Sequence, residues 1–346
     1  MVPEKVTNLP TARLRSMNPD VRTRPPGGGW TPAVQGMSLH RRYSVNTLDE
    51  GRADIRFVDR TRVHLAENTL VVIFATAGQT AVSKTPPARV RLEEGEVQTG
   101  LAALRGRSVE LDVEGGARVS ADSTETIVMK KVERTTVSVF DGSASVRSGG
   151  KKVDVPQRMG TSFVRAKPPT APRPLPPAPS WSAPTSSGVS LAQVGQGLLQ
   201  ASWSEIPNTK VYRVEVATDA SFSQLVVREE VPNHVRAFRA ENMPPGRYFL
   251  RVRAIDTEDF VGIAATARET VLLGAEHSNA KGEVRASAIT AHPYGQLTFQ
   301  PNALIEMALD DGSFGPVITS LDLRKRSPDR IRLRLRGKAD EQIIPV

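Results

Sequence analysis

Apolar and polar residues alternate with a period of two through most of the first 167 residues. In "TRVHLAE", Val63 and Leu65 fall on one side of an extended chain, and Arg62 and His64 fall on the other. Successive side chains of a strand point to opposite faces, so this pattern predicts strands with one buried face. "ADIRFV" and "VELDVEG" repeat the pattern, and the helix-like window "TGLAALRG" is short and bounded by glycines. This half is predicted to be almost entirely β.

One hairpin is predicted at Asp141-Gly142. The window "TTVSVFDGSASVRS" places Val137 and Val139 before this dipeptide, and Ala144 and Val146 after it. Asp-Gly between alternating segments is a strong sequence signal for a tight β-turn.

Eight prolines between Pro168 and Pro184 predict an extended, semi-rigid spacer. Beyond it, "KVYRVEVATD", "QLVVREEV" and "GRYFLRVRAID" alternate again, which predicts a β-sandwich. We expect an all-β, multidomain chain, divided into an N-terminal extension or first strand (1–30), a β domain (31–167), a Pro-rich linker (168–184), a sandwich (185–273) and a small C-terminal β module (274–346).

Charge is distributed unevenly along the 346 residues. Before residue 174 there are 27 Lys and Arg against 18 Asp and Glu, whereas the remainder holds 19 of each. The basic half favours an anionic partner such as an acidic glycan or lipid surface. Its basic residues are scattered singly and aromatic residues are rare, so we expect no specific nucleic-acid binding. The absence of cysteine excludes disulfides, thiol catalysis and zinc–thiolate sites.

A mixture of ionisable residues in "RFVDRTRVHLAENTLVVI" is the strongest candidate for catalysis. Asp59, His64 and Glu67 would need to meet within hydrogen-bonding distance in a pocket. Asp59 lies where a turn is expected, His64 on the polar strand face, and Glu67 at odd spacing from His64. We therefore interpret the stretch as a solvated strand–turn–strand and expect no enzyme activity.

No cofactor or metal site is expected. The five histidines share no H-x-H or H-x-x-x-H spacing, and "DDG" at Asp310–Gly312 lacks the remaining ligands of a calcium loop. We interpret this "DDG" as a hairpin turn.

Two candidate binding sites are predicted. One is the rim of the second-half sandwich, where the loops "TDASFSQ" and "DTEDFVG" could contact a partner protein. The other is a set of four arginines on one predicted strand face. "RIRLRLRGK" directs Ile331, Leu333 and Leu335 inward and the four arginines outward; these are Arg330, Arg332, Arg334 and Arg336. Guanidinium groups in such a row bind phosphate or carboxylate groups, or a protein partner. The alternative is an edge strand whose charges prevent sheet-to-sheet aggregation.

The first half resembles the FecR-type domain of bacterial envelope proteins. The resemblance rests on "GMSLHRRYSVNTLDEGRADIRFVDRTRVHLAENTLVVI", "RLEEGEVQTGL" and "TTVSVFDGSASVRSGGKKVDVPQRMGTSF". It implies a domain of stacked hairpins, sandwich- or solenoid-like, over residues 31–167. This sequence has Asp59-Arg60 where the family usually has Asp-Gly at a turn.

The second half resembles a fibronectin type III-like or immunoglobulin-like sandwich. The resemblance is carried by "ASWSEIPNTKVYRVEVATDASFSQLV", with Trp203 as the core tryptophan, and by "MPPGRYFLRVRAIDTEDFVG".

Together the resemblances imply a periplasmic or envelope-associated protein with a binding or structural scaffold role. The partner would be another envelope protein or further copies of the chain. Two alternatives stay open: a FecR-type regulator that relays an outer-membrane signal, and a protein associated with anionic glycan or peptidoglycan. FecR-type regulators of sigma factors carry a cytoplasmic helical region and a membrane helix. Neither these nor any other transmembrane segment is visible in this sequence.

Overall fold

The computed structural model describes residues 11–17, 20–58, 61–75, 88–100, 109–113, 116–182, 188–193, 197–277, 283–285, 288–290, 296–323, 325–326 and 328–345. These residues are all-β, with no helix among them. The chain divides into two compact units: unit 1 is Met1–Leu175 with Glu258–Val261, and unit 2 is Pro176–Thr257 with Gly262–Val346.

Unit 1 contains fifteen described strands. They are β1 (Ala12–Met17), β2 (Val21–Arg24), β3 (Thr31–Pro32), β4 (Ser38–Leu39), β5 (Ser44–Thr47), β6 (Ala53–Phe57), β7 (Arg62–Leu65), β8 (Thr69–Ala75), β9 (Ala88–Gly100), β10 (Val109–Val113), β11 (Ala117–Lys130), β12 (Arg134–Ser148), β13 (Lys151–Pro156), β14 (Met159–Val164) and β15 (Arg173–Pro174). All of them are connected by ladder hydrogen bonds into one branched sheet.

Strand β9 is the branching point of this sheet. Its first half pairs with β8 and, in parallel, with β10. Its second half pairs with β7 and β11. Gly95 lies between the halves with φ 91°, and a Cβ there would be 2.6 Å from Thr69 Cα. Only glycine fits this position without strain.

The predicted alternation in unit 1 is confirmed. Val63 and Leu65 are buried, Arg62 is exposed and His64 is half-buried. Buried residues from most of the fifteen strands form one hydrophobic core, which includes Ile55 and Leu111. One side of the sheet is therefore mostly apolar, with buried threonines such as Thr23 and Thr47 among its residues, and most charged side chains lie on the other side.

The predicted hairpin at Asp141-Gly142 is wrong. Strand β12 continues through this dipeptide, and Gly142 has φ 80°. The register with β11 shifts opposite it, between Asp122 and Thr126, which is a β-bulge. At this bulge β12 changes partner on its other edge, from β14 to β13. Positive φ at glycine suits both a tight turn and a bulge, and here the chain forms a bulge.

The proline-rich segment is partly incorporated into the units. In unit 1, Arg173–Pro174 pairs with β14. In unit 2, Trp181 forms a β-bridge with Trp203. Residues 173–174 and Trp181 of the predicted spacer are therefore fixed by backbone hydrogen bonds.

Unit 2 also contains fifteen described strands. They are β16 (Val189–Gln193), β17 (Gly197–Ser202), β18 (Thr209–Ala217), β19 (Leu225–Pro232), β20 (Ala237–Met243), β21 (Gly246–Asp256), β22 (Arg268–His277), β23 (Glu283–Arg285), β24 (Ala288–Thr290), β25 (Gln296–Phe299), β26 (Ile305–Leu309), β27 (Gly315–Pro316), β28 (Ser320–Asp322), β29 (Arg330–Leu335) and β30 (Glu341–Pro345).

The first core of unit 2 lies between the β17–β20 pair and the sheet that contains β18 and β21. Trp203 is buried in it and packs edge-on against Tyr212, as the sequence predicts. The Tyr212 hydroxyl accepts a hydrogen bond of 2.7 Å from the backbone N–H of Ile206. This bond gives an acceptor to the buried N–H of Ile206, which forms no hydrogen bond within a sheet.

The second core of unit 2 combines strands from both sides of residue 274. Strand β22 runs across the predicted 273/274 boundary, and Val271 and Leu273 pack with Ile305, Ile331 and the other C-terminal apolar residues. Whether residues 274–346 fold independently stays a prediction. The hairpin turn predicted at Asp310–Gly312 is confirmed, since β26 pairs with β27 on either side of it. Among the described residues, no helix is long and apolar enough to span a bilayer.

Candidate binding faces

A row of basic side chains crosses the polar face of unit 1. Arg91 on β9, Arg118 on β11, Arg147 on β12 and Lys152 on β13 occupy one line of cross-strand partners, with Asp112 on β10 between Arg91 and Arg118. We call the four basic residues the basic row. Neighbouring strands lie about 4.8 Å apart, so the row extends over about 19 Å.

The register produces this row because Arg91, Arg118 and Arg147 alternate with buried residues, and Lys152 adjoins the partly buried Val153. Leu92, Val119 and Val146 each adjoin a member of the row in sequence and point into the core. All four basic side chains are exposed. A cleft of about 930 Å³ runs along the row and is lined in its middle by Ser120 and Ser145.

Asp112 neutralises only one end of the cleft. Its carboxylate is 2.6 Å from the Arg89 guanidinium and 3.1 Å from Arg118 Nε. Lys152 lies 3.0 Å from Asp154, in an exposed pair. Arg147 has no ion-pair partner within the described ranges. Neighbouring members of the trio Arg118, Arg147 and Lys152 are about 4.8 Å apart at the backbone, which is shorter than the Debye length of about 8 Å at physiological salt, so the potentials of neighbours add.

The basic row corrects the expectation from the sequence that the basic residues are not clustered. They are scattered in the sequence but converge in the sheet, because strands far apart in the chain become neighbours. A sequence signal did exist: each member stands at a polar position of an alternating segment. Which residues lie beside each member on neighbouring strands could not be known without the strand order and register.

The two candidate catalytic residues that the structure describes, His64 and Glu67, have different partners. His64 Nδ1 lies 2.8 Å from Asp54 Oδ1, and Glu67 pairs with Arg52 at 2.6 Å. Ser16 Oγ donates a hydrogen bond to Asp54, at 2.7 Å, and not to His64. A hydroxyl bonded to the carboxylate is the wrong order for activation of a nucleophile by histidine. Asp59 and the turn residue Arg60 lie outside the described residues.

The four arginines of the C-terminal strand alternate as predicted, with Ile331, Leu333 and Leu335 buried. The edge-strand alternative is wrong, because β29 lies between β26 and β30. As a site for anions or a partner, Arg330, Arg332, Arg334 and Arg336 stay a prediction.

Carboxylates already occupy most of this arginine face. Arg332 Nε donates to Glu341 at 2.6 Å, a bond that lowers the pKa of Glu341 and raises that of Arg332. Arg334 Nε donates to Glu306 at 2.9 Å, and Arg330 pairs with Asp311. The Phe314 ring lies under Arg334, 3.9 Å from its guanidinium carbon. These contacts leave less free positive charge here than in the basic row.

A buried charged cluster lies on the outer face of the β18–β21 sheet. Glu215 on β18 is nearly inaccessible and pairs with Arg251 at 2.5 Å and with Arg228 at 3.9 Å. Burial by itself raises the pKa of Glu215, but the attraction of Arg251, Arg228, Arg253 and Arg213 outweighs it and holds the pKa far below the usual range. The cluster is a structural element of the sheet.

Comparison with protein families identifies the module that carries the basic row. Residues 43–145 match the family described as FecR protein. This segment is a FecR family domain. It runs from the start of β5 into β12, so it contains Arg91 and Arg118. Arg147 and Lys152 follow directly after it.

Solved structures show only distant likeness. A proposed anti-sigma factor from Parabacteroides distasonis is 16% identical, with a TM-score of 0.31 over 38% of this chain and 59% of its own. A two-domain fibronectin type III segment from chicken tenascin is 12% identical, with a TM-score of 0.21 over 50% of this chain and 99% of its own. The FN1–FN3 domains of chicken CNTN1 are 10% identical, with a TM-score of 0.23 over 76% of this chain and 98% of its own.

The chain spans 59% of the length of the Parabacteroides structure. A search of curated proteins gave no match. In the described part of the chain, no three His, Asp or Glu side chains gather as metal ligands do.

Proposed function

We propose that this chain is a non-catalytic signalling or regulatory protein of the bacterial periplasm. The FecR domain at residues 43–145 is the observation that carries the proposal. In this proposal the FecR domain receives its signal by binding an acidic surface of an envelope protein. The contact is made along the basic row, where Arg118 and Lys152 each have one acidic neighbour and Arg147 has no ion-pair partner within the described residues.

Photo-crosslinking tests where the partner binds. The chain has no cysteine, so Ser120→Cys or Ser145→Cys introduces a unique thiol in the middle of the cleft. Each variant is labelled with a thiol-reactive photo-crosslinker and irradiated in an envelope extract of its own host. We expect one discrete protein adduct, which is lost when Arg118→Glu and Arg147→Glu are combined. Ser313→Cys, exposed in unit 2, is the matched control.

Transcription tests the regulatory role. A strain with Arg118→Glu and Arg147→Glu should reproduce the transcriptional change caused by deletion of the gene. If deletion changes no transcript, the signalling role is wrong even when the crosslink forms.

A second candidate, association with an anionic glycan, is favoured by the linear arrangement of the basic row. An extended polyanion can contact cations on successive strands, and such binding falls steeply with added salt. Salt-sensitive co-sedimentation with purified envelope glycan, without any protein adduct, would favour this candidate. A protein adduct that persists after the glycan is digested would favour the first.

A further inference from the structure

A second set of arginines lies elsewhere on unit 1, away from the basic row. Arg13 on β1, Arg56 on β6 and Arg62 on β7 are direct cross-strand partners. We call these three residues the arginine ladder. They come from adjacent strands but are separated by up to 49 positions in sequence.

Three like charges in register oppose sheet formation. Like charges directly opposite one another on neighbouring strands are destabilising, and Arg56 has such a neighbour on each side. A nearby carboxylate would relieve the repulsion. The nearest one on β6, Asp54, is already bonded to Ser16 and to His64. Within the described ranges, no ladder arginine has an ion-pair partner.

A small cavity opens beside the ladder. Its volume is about 280 Å³, and its lining is Ala12, Arg13, Arg15, Arg56, Phe57 and Val58. Arg15 stands at a register shift between Leu14 and Ser16, where β1 has one residue without a partner on β6. Bulges re-aim side chains. Here Arg13 and Arg15, on either side of buried Leu14, are both exposed and both line the cavity.

The number of guanidinium groups indicates the kind of ligand. One guanidinium satisfies a carboxylate through two parallel hydrogen bonds. A terminal phosphate has three oxygens and a charge of about −1.5 to −2 at neutral pH, so it can engage several guanidinium groups at once. The cavity is at the small end of the range for ligand pockets, roughly 300–1,000 Å³, which suits a compact group.

We propose that Arg13, Arg15 and Arg56, flanked by Arg62, form a binding site for a phosphate group. The group belongs either to a small soluble phosphate compound or to a lipid headgroup at a membrane surface. Val58, 70% exposed at the rim, is an apolar contact available to either. The proposal does not depend on the signalling role or on the basic row.

Calorimetric titration of the full chain with sodium pyrophosphate tests the soluble form. Co-sedimentation with phosphatidylcholine vesicles, with and without phosphatidic acid, tests the headgroup form. All samples have equal ionic strength. Arg56→Gln removes the central guanidinium of the arginine ladder. Arg15→Gln is a second variant, at a cavity residue that does not belong to the arginine ladder. Arg22→Gln is the matched control, because it removes an exposed arginine of the same unit that belongs neither to the arginine ladder nor to the basic row.

We expect Arg56→Gln and Arg15→Gln to weaken binding at least tenfold and Arg22→Gln to bind as the original chain does. Without ligand, Arg56→Gln should melt at a temperature no lower than the original chain, since it relieves repulsion. Binding of pyrophosphate identifies a soluble ligand, and binding of phosphatidic acid vesicles alone identifies a headgroup. If neither ligand binds, or if Arg22→Gln weakens binding as much as Arg56→Gln, the proposal is overturned.

Discussion

Replacement of Glu215 by Gln tests the buried cluster of unit 2. The substitution keeps the shape of the side chain but removes the buried negative charge that attracts Arg251, Arg228, Arg253 and Arg213. Loss of one partner from a buried ion pair costs about 3–5 kcal/mol, because the remaining charge stays buried without compensation. The free energy of unfolding of a domain is about 5–15 kcal/mol, so this loss would be a large fraction of it. At about 2–4 °C per kcal/mol, the melting temperature should fall by roughly 10 °C.

The stability that the Glu215 charge contributes should decrease as the pH falls. The pKa of Glu215 is held far below the unfolded value of about 4.3, so the folded state stays ionised after the unfolded chain has bound a proton. The contribution of Glu215 is complete above about pH 5 and is lost as the pH falls toward the folded pKa. The difference in stability between the original chain and Glu215→Gln should therefore narrow below about pH 4.5.

Urea unfolding followed by tryptophan fluorescence measures this difference, since Trp181 and Trp203 both lie in unit 2. The control is Glu229→Gln, an exposed carboxylate on the neighbouring strand, which should change stability little. Equal stability of Glu215→Gln and the original chain at pH 7 would refute the reasoning. A difference that stays constant down to pH 3 would refute the assignment of the charge effect to Glu215.

Three further substitutions test the packing. Gly95→Ala should destabilise unit 1 clearly more than Gly116→Ala in thermal melts, because both have positive φ but only the first would push Cβ into backbone atoms; equal losses would contradict the crowding argument. Tyr212→Phe leaves the backbone N–H of Ile206 buried without an acceptor and should cost about 1–3 kcal/mol in urea unfolding; an unchanged midpoint would show that another acceptor replaces the hydroxyl. Leu111→Ala should cost about 2–5 kcal/mol by the same measurement, and a loss below 1 kcal/mol would mean that the core collapses around the deletion.

Much of the fold follows from local sequence patterns. The alternation around Val63 and Leu65 predicts which residues are buried, because a strand has only two faces. Burial of Trp203 follows from the likeness to a fibronectin-type sandwich. The error at Asp141-Gly142 has a physical cause: positive φ at glycine serves both turns and bulges. Which one forms depends on partner strands that are distant in the chain.

The binding faces were less predictable. The sequence drew attention to Arg330–Arg336 because those arginines lie close together along the chain, and a single strand displays them without any long-range register. The basic row and the arginine ladder have members that are tens of residues apart. Their convergence depends on pairings such as the parallel one between β9 and β10, which alternation alone does not specify.

The position of β9 also bears on the order in which unit 1 is made. This strand pairs with β7 and β8 before it and with β10 and β11 after it. A chain emerging from a ribosome or a translocation channel, N-terminus first, exposes the edges of β7 and β8 until residue 100 has appeared. A chaperone bound during that interval would shield those edges. The sheet of unit 1 can be completed only after β9 has emerged.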